Sequence, residues 1–243
     1  MGTDDVQLTY IVPAHNSGQM IEGTLKELRD HLAGRQAEIV VVENGSSDNT
    51  LELLRRVETD WDQGDVRLRV LQSAKGLGHA LKHGISMSRG ARIFIGADDL
   101  PFGFGDLDKA VNIDHAKHPV VIGSKGHPES QAGRGIVRAI LTFGFLSVRW
   151  VILGMRTRDP QGTFALDGKW ARGVAPRLNE PGFLMTTELV YLAEKSGIRT
   201  VEVPVVLSES HMAHGSRIRL NDIFTMFTGL FKVRRHHRRS RAA

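Results

Sequence analysis

The sequence predicts an α/β protein with a Rossmann-like, mostly parallel sheet and helices on both faces. Two observations lead to this prediction. Segments typical of strands alternate with segments of helical periodicity through the first half of the chain, in the order β-α-β-α-β-α-β. Continuous apolar runs, such as Ile-Phe-Ile at 93–95, indicate strands that are covered on both faces. We therefore expect ligand-binding residues in the loops at the carboxyl ends of the strands.

The elements of the first half are predicted from their apolar spacing and from the turn residues between them. Strands are predicted at LTYIVPA (8–14), within EIVVVENGSSDN (38–49), at RLRVLQ (67–72) and within ARIFIGADD (91–99), and helices at QMIEGTLKELRDHLA (19–33), NTLELLRRVETD (49–60) and LGHALKHGISMSRG (77–90).

The second half of the chain has a different character. Its predicted elements are a strand in HPVVIGSKG (118–126), an amphipathic segment (136–155), a helix at TTELVYLAEKSG (186–197), a strand in RTVEVPVVLS (199–208) and a final helix (220–237). In the final helix, apolar residues recur at helical spacing and cations follow them: Ile223, Phe224, Phe227, Leu230 and Phe231. No internal repeat divides the chain, so we expect one large domain over 1–220 and an amphipathic helix with a basic tail over 221–243.

Composition excludes several classes of protein. The chain has 243 residues, 41% of them hydrophobic and 24% charged, which is typical of globular domains. It contains no cysteine, which excludes disulfides and thiolate zinc sites and fits a reducing, cytoplasmic location. The N-terminus does not resemble a secretory signal, and the longest apolar stretch, Ala139 to Met155, is short for a membrane span and is interrupted by Arg149. The net charge of +5 owes much to the last dozen residues.

Two adjacent carboxylates, Asp98 and Asp99, end the strand at 91–99. A lone aspartate at a strand exit is usually a turn residue, and Asp48 or Asn49 could similarly cap the helix that follows them. Neither G-x-G-x-x-G nor G-x-x-x-x-G-K-[ST] occurs in the first loop, which argues against dinucleotide-dependent redox chemistry and P-loop phosphoryl transfer.

Eight segments follow one another along the chain in a recognisable order: YIVPAHN, IVVVENGSSDNT, KGLGHALKHGISMSRG, ADDLPFGFGDLDKAV, VIGSKG, RDPQGTFAL, TVEVPVVL and HGSRIRLNDIFTMFTGLF. Taken together and in this order, they resemble the motifs of glycosyltransferase family 2, and within it those of the polyprenyl-phosphate (dolichol-phosphate) mannosyl- and glucosyltransferases. The resemblance implies a GT-A fold and a single displacement, with inversion, at the anomeric carbon of a nucleotide sugar (GDP-mannose or UDP-glucose). It further implies a polyprenyl (dolichyl or undecaprenyl) monophosphate acceptor and Mg²⁺ or Mn²⁺ as cofactor.

The resemblance also assigns site residues. For the donor these are Pro13, Ala14, Asn16, Glu43, Asn44, Asp48, Lys75, Gly76 and Asp98. For catalysis and the metal they are Asp99 and Asp98. For the acceptor phosphate they are Lys125, Arg138, Thr142, His211, Ser216 and Arg217. The chain departs from the family pattern by Ala97 in place of the first metal-motif acid, Pro101 in place of glutamine and His211 in place of arginine. Glu188 matches an acid in the family's late helix, where a structural role and a functional one are equally open.

Several alternatives stay open at this stage. The 139–155 stretch and the 223–241 segment are expected to lie on the cytoplasmic face of a membrane, although a buried core helix is an equal rival for the first of them. The acceptor could instead be a soluble sugar, polyol or glycerol phosphate. The altered metal motif could also mark a non-catalytic protein that binds nucleotide sugars. Binding to nucleic acid is not expected, because the basic tail is not accompanied by aromatic residues on a sheet face.

Overall fold

The computed structural model describes residues 6–130, 146–207 and 220–239 of the chain. The strands form one seven-stranded sheet in the order β3-β2-β1-β4-β6-β5-β7. Their bounds are β1 Leu8–Ala14, β2 Ala37–Glu43, β3 Val66–Gln72, β4 Arg92–Ile95, β5 Val120–Ser124, β6 Thr163–Asp167 and β7 Val201–Pro204. Every pairing is parallel except the two that β6 makes with β4 and β5. The predicted α/β class and the mostly parallel sheet are confirmed.

Helices cover both faces of this sheet, as predicted. Their bounds are α1 Ile21–Leu32, α2 Thr50–Thr59, α3 Leu77–Met87, α4 Gly105–Val111, α5 over residues 146–153, α6 Gly168–Val174, α7 Met185–Lys195 and α8 Leu220–Arg239. A 3₁₀ turn at Ala175–Arg177 continues α6. The sequence analysis did not predict β6, α4 or α6.

The alternation of side chains along the strands builds two cores. Tyr10 and Val12 pack with the buried faces of α1, α2 and α4, whereas Ile11 packs with α3, α6 and α7 on the other side of the sheet. Both sides of β1 are thus buried, as the continuous apolar sequence requires. The sheet is a rigid platform for the loops at its carboxyl edge.

The strand register places the loops after β1, β2 and β4 side by side at the carboxyl edge of the sheet. Ala14 pairs with Glu43, so β1 and β2 end together. β4 pairs with β1 only as far as Ile95 opposite Ile11, and the backbone N–H of Gly96 donates to the carbonyl of Ile11 at 3.1 Å. The chain therefore leaves the sheet just before Asp98, beside the end of β1.

The C-terminal helix α8 packs on the body of the protein through one face. Leu230, Val233 and His237 are buried at helical spacing, and Gly229 lies against Leu184 at the start of α7. Leu230 also joins an apolar cluster that includes Ile152 of α5. In the part of α8 whose side chains are described, residues 228–238, one face is buried and the other is exposed.

The described part of the 139–155 stretch is neither wholly buried nor wholly exposed. Ile152 and Met155 are buried, whereas Trp150 and Val151 are 63% and 67% exposed. Arg149, which interrupts the apolar run, is buried, and its guanidinium donates to the carbonyls of Thr157 and Arg158. Among the described residues, no helix is both long and apolar enough to cross a membrane.

Candidate active site

The loops after β1 and β2 are tied together by side chains that the sequence assigned to donor binding. Both the backbone N–H and the side-chain amide of Asn44 donate to the carbonyl of Ala14, at 3.0 and 2.8 Å. The Asn16 side-chain oxygen accepts from the backbone N–H of Ser47 at 2.8 Å. Asn16 adopts a φ of 56°, a left-handed conformation that asparagine tolerates better than most residues. The loops after β1 and β2 together form one polar surface at the carboxyl edge, which we call the polar wall.

Asp48 holds the start of α2 and the first loop together. Its carboxylate accepts from the hydroxyl and the backbone N–H of Thr50, at 2.5 and 3.1 Å, and from the backbone N–H of Gly18 at 3.2 Å. The Thr50 hydroxyl is the main reason that the pKa of Asp48 is lowered. The helix-capping alternative weighed for Asp48 therefore describes its contacts within the chain.

Glu43 and Asn44 are both buried, with 4% and 5% exposure. Glu43 accepts from the backbone N–H of Ser46 at 2.6 Å, and the Asn44 side-chain oxygen lies 3.4 Å from the backbone nitrogen of Gly76. These atoms are used to shape the loops. Their assigned contacts with a base and ribose stay a prediction.

The segment after β3 brings Lys75 and Gly76 to the same wall. Lys75 is exposed, and its Cβ packs where Gly45, at a φ of 78°, leaves room. Gly76 has a φ of 127°, and any Cβ there would collide with the carbonyl oxygen of Pro181. Glycine is therefore required by both conformation and space.

Asp98 and Asp99 lie in a turn that follows β4, outside the extended strand. The Ser17 hydroxyl donates to the Asp98 carboxylate, and the Thr24 hydroxyl donates to the Asp98 backbone carbonyl. Burial raises the pKa of Asp98, and the neighbouring Asp99 adds to this shift, while the Ser17 hydrogen bond opposes it. The Asp98 carboxylate is thus half-buried and engaged by Ser17.

Ser17 is the residue that sequence reasoning missed. It is 1% exposed, its hydroxyl contacts Asp98, and its backbone N–H donates to the Thr50 hydroxyl at 2.8 Å. One small residue therefore connects the loops after β1, β2 and β4. Its sequence context, Asn-Ser-Gly, signals only a turn.

A further carboxyl, that of Asp106, lies deeper under the same edge. Asp106, at the start of α4, is 3% exposed, and it accepts hydrogen bonds from the Thr163 hydroxyl and from the backbone N–H of Leu107. Burial raises its pKa. The hydroxyl of Tyr10 lies in this region, against Gly96, and burial together with the charges of Asp106 and Asp99 raises the pKa of Tyr10.

Lys125 is the one assigned acceptor residue that lies within the described part of the chain. It follows β5 at the same edge of the sheet, where its backbone N–H donates to Asp159 at 2.9 Å. Its ammonium lies 5.2 Å from the ring centroid of Phe102, in the loop that follows Asp98 and Asp99. A cation therefore lies beside the loop that follows the acidic turn. The other assigned acceptor residues, Arg138, Thr142, His211, Ser216 and Arg217, lie outside the described residues.

The donor set suits a metal that is shared with a substrate. Across residues 6–130, 146–207 and 220–239, no three histidine, aspartate or glutamate side chains come together as a ready-made cage. Mg²⁺ is commonly held by one or two carboxylates together with substrate phosphates. The adjacent carboxylates of Asp98 and Asp99 fit that arrangement.

The family model described as Glycosyl transferase family 2 matches residues 9–172, which include the loops after β1 to β5. The chain belongs to glycosyl transferase family 2. The resemblance proposed from the motifs is thereby confirmed, and enzymes of this family transfer sugars.

Two curated relatives are dolichyl-phosphate beta-glucosyltransferases, one from Dictyostelium discoideum and one from Homo sapiens. Each is 28% identical to this family 2 chain, over 221 and 222 residues respectively. The alignments cover 85% and 84% of the chain and 68% of each relative.

Solved structures show the same fold. Mannosyl-3-phosphoglycerate synthase from Rubrobacter xylanophilus has a TM-score of 0.65 and 17% identity, covering 97% of this chain and 75% of its own. Glucosyl-3-phosphoglycerate synthase from Mycobacterium tuberculosis, in complex with Mn²⁺, UDP and glucosyl-3-phosphoglycerate, has a TM-score of 0.63 and 16% identity, covering 94% of this chain and 78% of its own. The predicted GT-A fold is confirmed, and at these identities the likeness concerns the fold alone.

Proposed function

We propose that this protein transfers a hexose, with glucose as the first candidate, from a nucleotide sugar to a polyprenyl monophosphate with inversion of the anomeric carbon. The observation that carries the proposal is the 28% identity to dolichyl-phosphate beta-glucosyltransferases over more than four-fifths of the chain. The carboxyl edge of the sheet supports it, because polar loops, two adjacent acids and a cation meet there.

For the donor, UDP-glucose is favoured over GDP-mannose. The named activity of the relatives is glucosyl transfer, and the M. tuberculosis structure holds UDP. The loops after β1, β2 and β3 form the nucleotide site, with Glu43 and Asn44 shaping its floor and the exposed Lys75 ammonium within reach of a diphosphate. A lysine is a suitable partner because it can neutralise phosphate charge.

For the reaction, an acceptor phosphate oxygen attacks the anomeric carbon while the bond from that carbon to the diphosphate oxygen breaks. The electron pair of the broken bond leaves with the nucleoside diphosphate. The acceptor oxygen already carries negative charge, so no strong general base is needed to remove a proton. Lys125 binds and orients the acceptor phosphate beside the acidic turn.

The acidic turn would bind the cation that neutralises the negative charge developing on the leaving nucleotide. A divalent cation bound there would act as a Lewis acid on the diphosphate. Asp99 would hold Mg²⁺ or Mn²⁺, and Asp98, engaged by Ser17, keeps the turn in place. With these two roles, the site would bind a metal despite Ala97 in place of the first acid of the family motif.

The acceptor is a lipid, so the site must lie close to a membrane surface, and we place it on the cytoplasmic face. On α8, Lys232, Arg235 and Arg238 are exposed together with Phe231, which is 50% exposed. Trp150 on α5 adds another exposed aromatic side chain. Cations beside exposed aromatic groups suit an interface that carries anionic lipid.

The test is transfer by the purified full chain from radiolabelled UDP-glucose and GDP-mannose to a short polyprenyl phosphate, with and without Mg²⁺ or Mn²⁺. We expect label from UDP-glucose in the organic phase, only when a metal is present. Label from GDP-mannose alone would reject the glucose assignment. Binding of UDP without label in either phase would indicate a non-catalytic nucleotide-sugar-binding protein and overturn the proposal.

A soluble acceptor is the second candidate, since the structural neighbours are synthases named for 3-phosphoglycerate products. It would be supported by transfer of label into a water-soluble product when 3-phosphoglycerate is supplied. The lipid acceptor is the first candidate because the curated relatives cover 84–85% of the chain at higher identity.

A further inference from the structure

Glu188 stands at the centre of a buried network that the proposed reaction does not use. It lies on α7 and is 1% exposed. One carboxylate oxygen accepts from the backbone N–H groups of Asn179 and Glu180, at 2.8 and 2.9 Å, and the other lies 2.6 Å from Nε2 of His237. A carboxylate can only accept, so the imidazole is the donor. Burial by itself would raise the pKa of Glu188, but these hydrogen bonds outweigh it, so that the pKa is lowered.

The 179–181 loop that Glu188 holds is in contact with the candidate donor site. The carbonyl of Pro181 accepts from the backbone N–H of Gly78 at 2.9 Å. A Cβ on Gly78 would collide with the carbonyl oxygen of Glu180, and one on Gly76 would collide with that of Pro181. The two segments thus meet through their backbones at Gly76 and Gly78, so a shift of one loop is passed directly to the other.

The other end of the network belongs to α8. His237 is 2% exposed, and the ammonium of Lys195 on α7 donates to its carbonyl. The neighbouring His236 ring lies 2.8 Å from the side-chain amide of Asn179, which makes a second link from α8 to the same loop. The helix is therefore joined to the 179–181 loop by polar contacts of defined geometry as well as by apolar packing.

We propose that His237 and Glu188 are positioning residues of the donor site, through which α8 holds the 179–181 loop against the Lys75–Gly78 segment. The inference rests on the proposed function in assigning that segment to the nucleotide sugar. It makes α8 part of the donor site without touching the donor. Removal of the His237 contact should then weaken nucleotide binding even in the absence of lipid.

The first test measures the Kd of UDP and of GDP, each with Mg²⁺, by calorimetry on lipid-free full chain. His237→Ala should weaken binding by about fivefold or more, the lower end of the range for coupled sites. His237→Gln, which keeps an N–H donor of similar reach, should restore binding. His118→Ala is the matched control. This histidine precedes the amino end of β5, whereas the candidate site lies at the carboxyl ends of the strands, so the variant should bind like wild type. In steady-state assays, His237→Ala should raise the KM for the donor and leave the KM for the acceptor unchanged.

The second test needs no nucleotide. Amide hydrogen exchange should be faster in His237→Ala than in wild type at Asn179 and Glu180, and also at Gly78, which contacts neither His237 nor Glu188. If His237→Ala does not fold, His237→Asn, whose shorter side chain retracts from Glu188, takes its place in both tests.

The outcomes separate the two proposals. Wild-type protein that binds neither UDP nor GDP would reject the proposed function, while the exchange at Gly78 would still support or overturn the positioning role. Wild-type binding with an unchanged Kd in His237→Ala would overturn the positioning role and leave the proposed function standing. An unchanged exchange rate at Gly78 would also overturn it, because the loop would then be held without His237.

Discussion

The contact between Ser17 and Asp98 predicts that the two adjacent acids have separable roles. Asp98→Ala removes a hydrogen bond to a charged group, which contributes about 1.5–3 kcal/mol. If that free energy is lost entirely from the positioning of Asp99 in the transition state, kcat/KM should fall roughly 10- to 150-fold, since about 1.4 kcal/mol is a factor of ten. Asp98→Asn keeps an acceptor oxygen for Ser17 and should stay within about tenfold of wild type. Asp99→Asn should abolish transfer.

The assay is the initial rate of sugar transfer to polyprenyl phosphate at saturating Mg²⁺, with urea unfolding as the check that each variant is folded. Ser17→Ala is the matched control, because it breaks the same contact from the other side and should match Asp98→Ala. The reasoning is refuted if Asp98→Asn is folded and yet as inactive as Asp99→Asn. In that case the Asp98 carboxylate would itself be required, as a metal ligand.

Other predictions concern the residues around the site. Burial raises the pKa of Asp106 above its unfolded value of about 3.9, so the folded chain keeps that proton to higher pH and the free energy of unfolding falls as pH rises through this range. Asp106→Asn can keep the contact with Thr163, whose hydroxyl can also accept a hydrogen bond. In urea unfolding, the stability of this variant relative to wild type should therefore rise from acid to neutral pH. A difference in unfolding free energy that does not change with pH would contradict this. Gly78→Ala should cost about 1–3 kcal/mol of unfolding free energy by collision with a backbone carbonyl, whereas Gly23→Ala, with open space around it, should be neutral or stabilising by up to about 1 kcal/mol. Lys125→Ala should raise the acceptor KM by about tenfold, whereas Lys125→Arg should not. An acceptor KM for Lys125→Ala equal to that of wild type would show that Lys125 does not bind the acceptor.

Much of the fold could be predicted because its signals are local. The strands β1 to β4 and the helices between them follow from apolar runs and helical spacing in contiguous sequence. β6 was missed because Thr163–Asp167 becomes a strand only by antiparallel pairing with β4 and β5, both distant in sequence. The short helices α4 and α6 were missed because each spans only seven residues.

The candidate site divides in a similar way. The motifs identify Asp98, Asp99 and Lys125, and the family match supports the resemblance on which they rest. The motifs do not indicate that Ser17 holds Asp98, since a hydroxyl in a turn has no distinguishing pattern. Nor do they indicate that His237 meets Glu188, because the two residues are separated by 49 positions.

The sequence by itself determined the α/β class and the edge of the sheet where ligands are expected, because both depend on residue types at short and regular spacing, and its motifs taken in order indicated the family. Tertiary structure alone decided that Ser17 engages Asp98, where the antiparallel strand enters the sheet, and how α8 reaches the 179–181 loop. These features are contacts between distant segments. Their geometry depends on the packing of the whole domain, which no local pattern specifies.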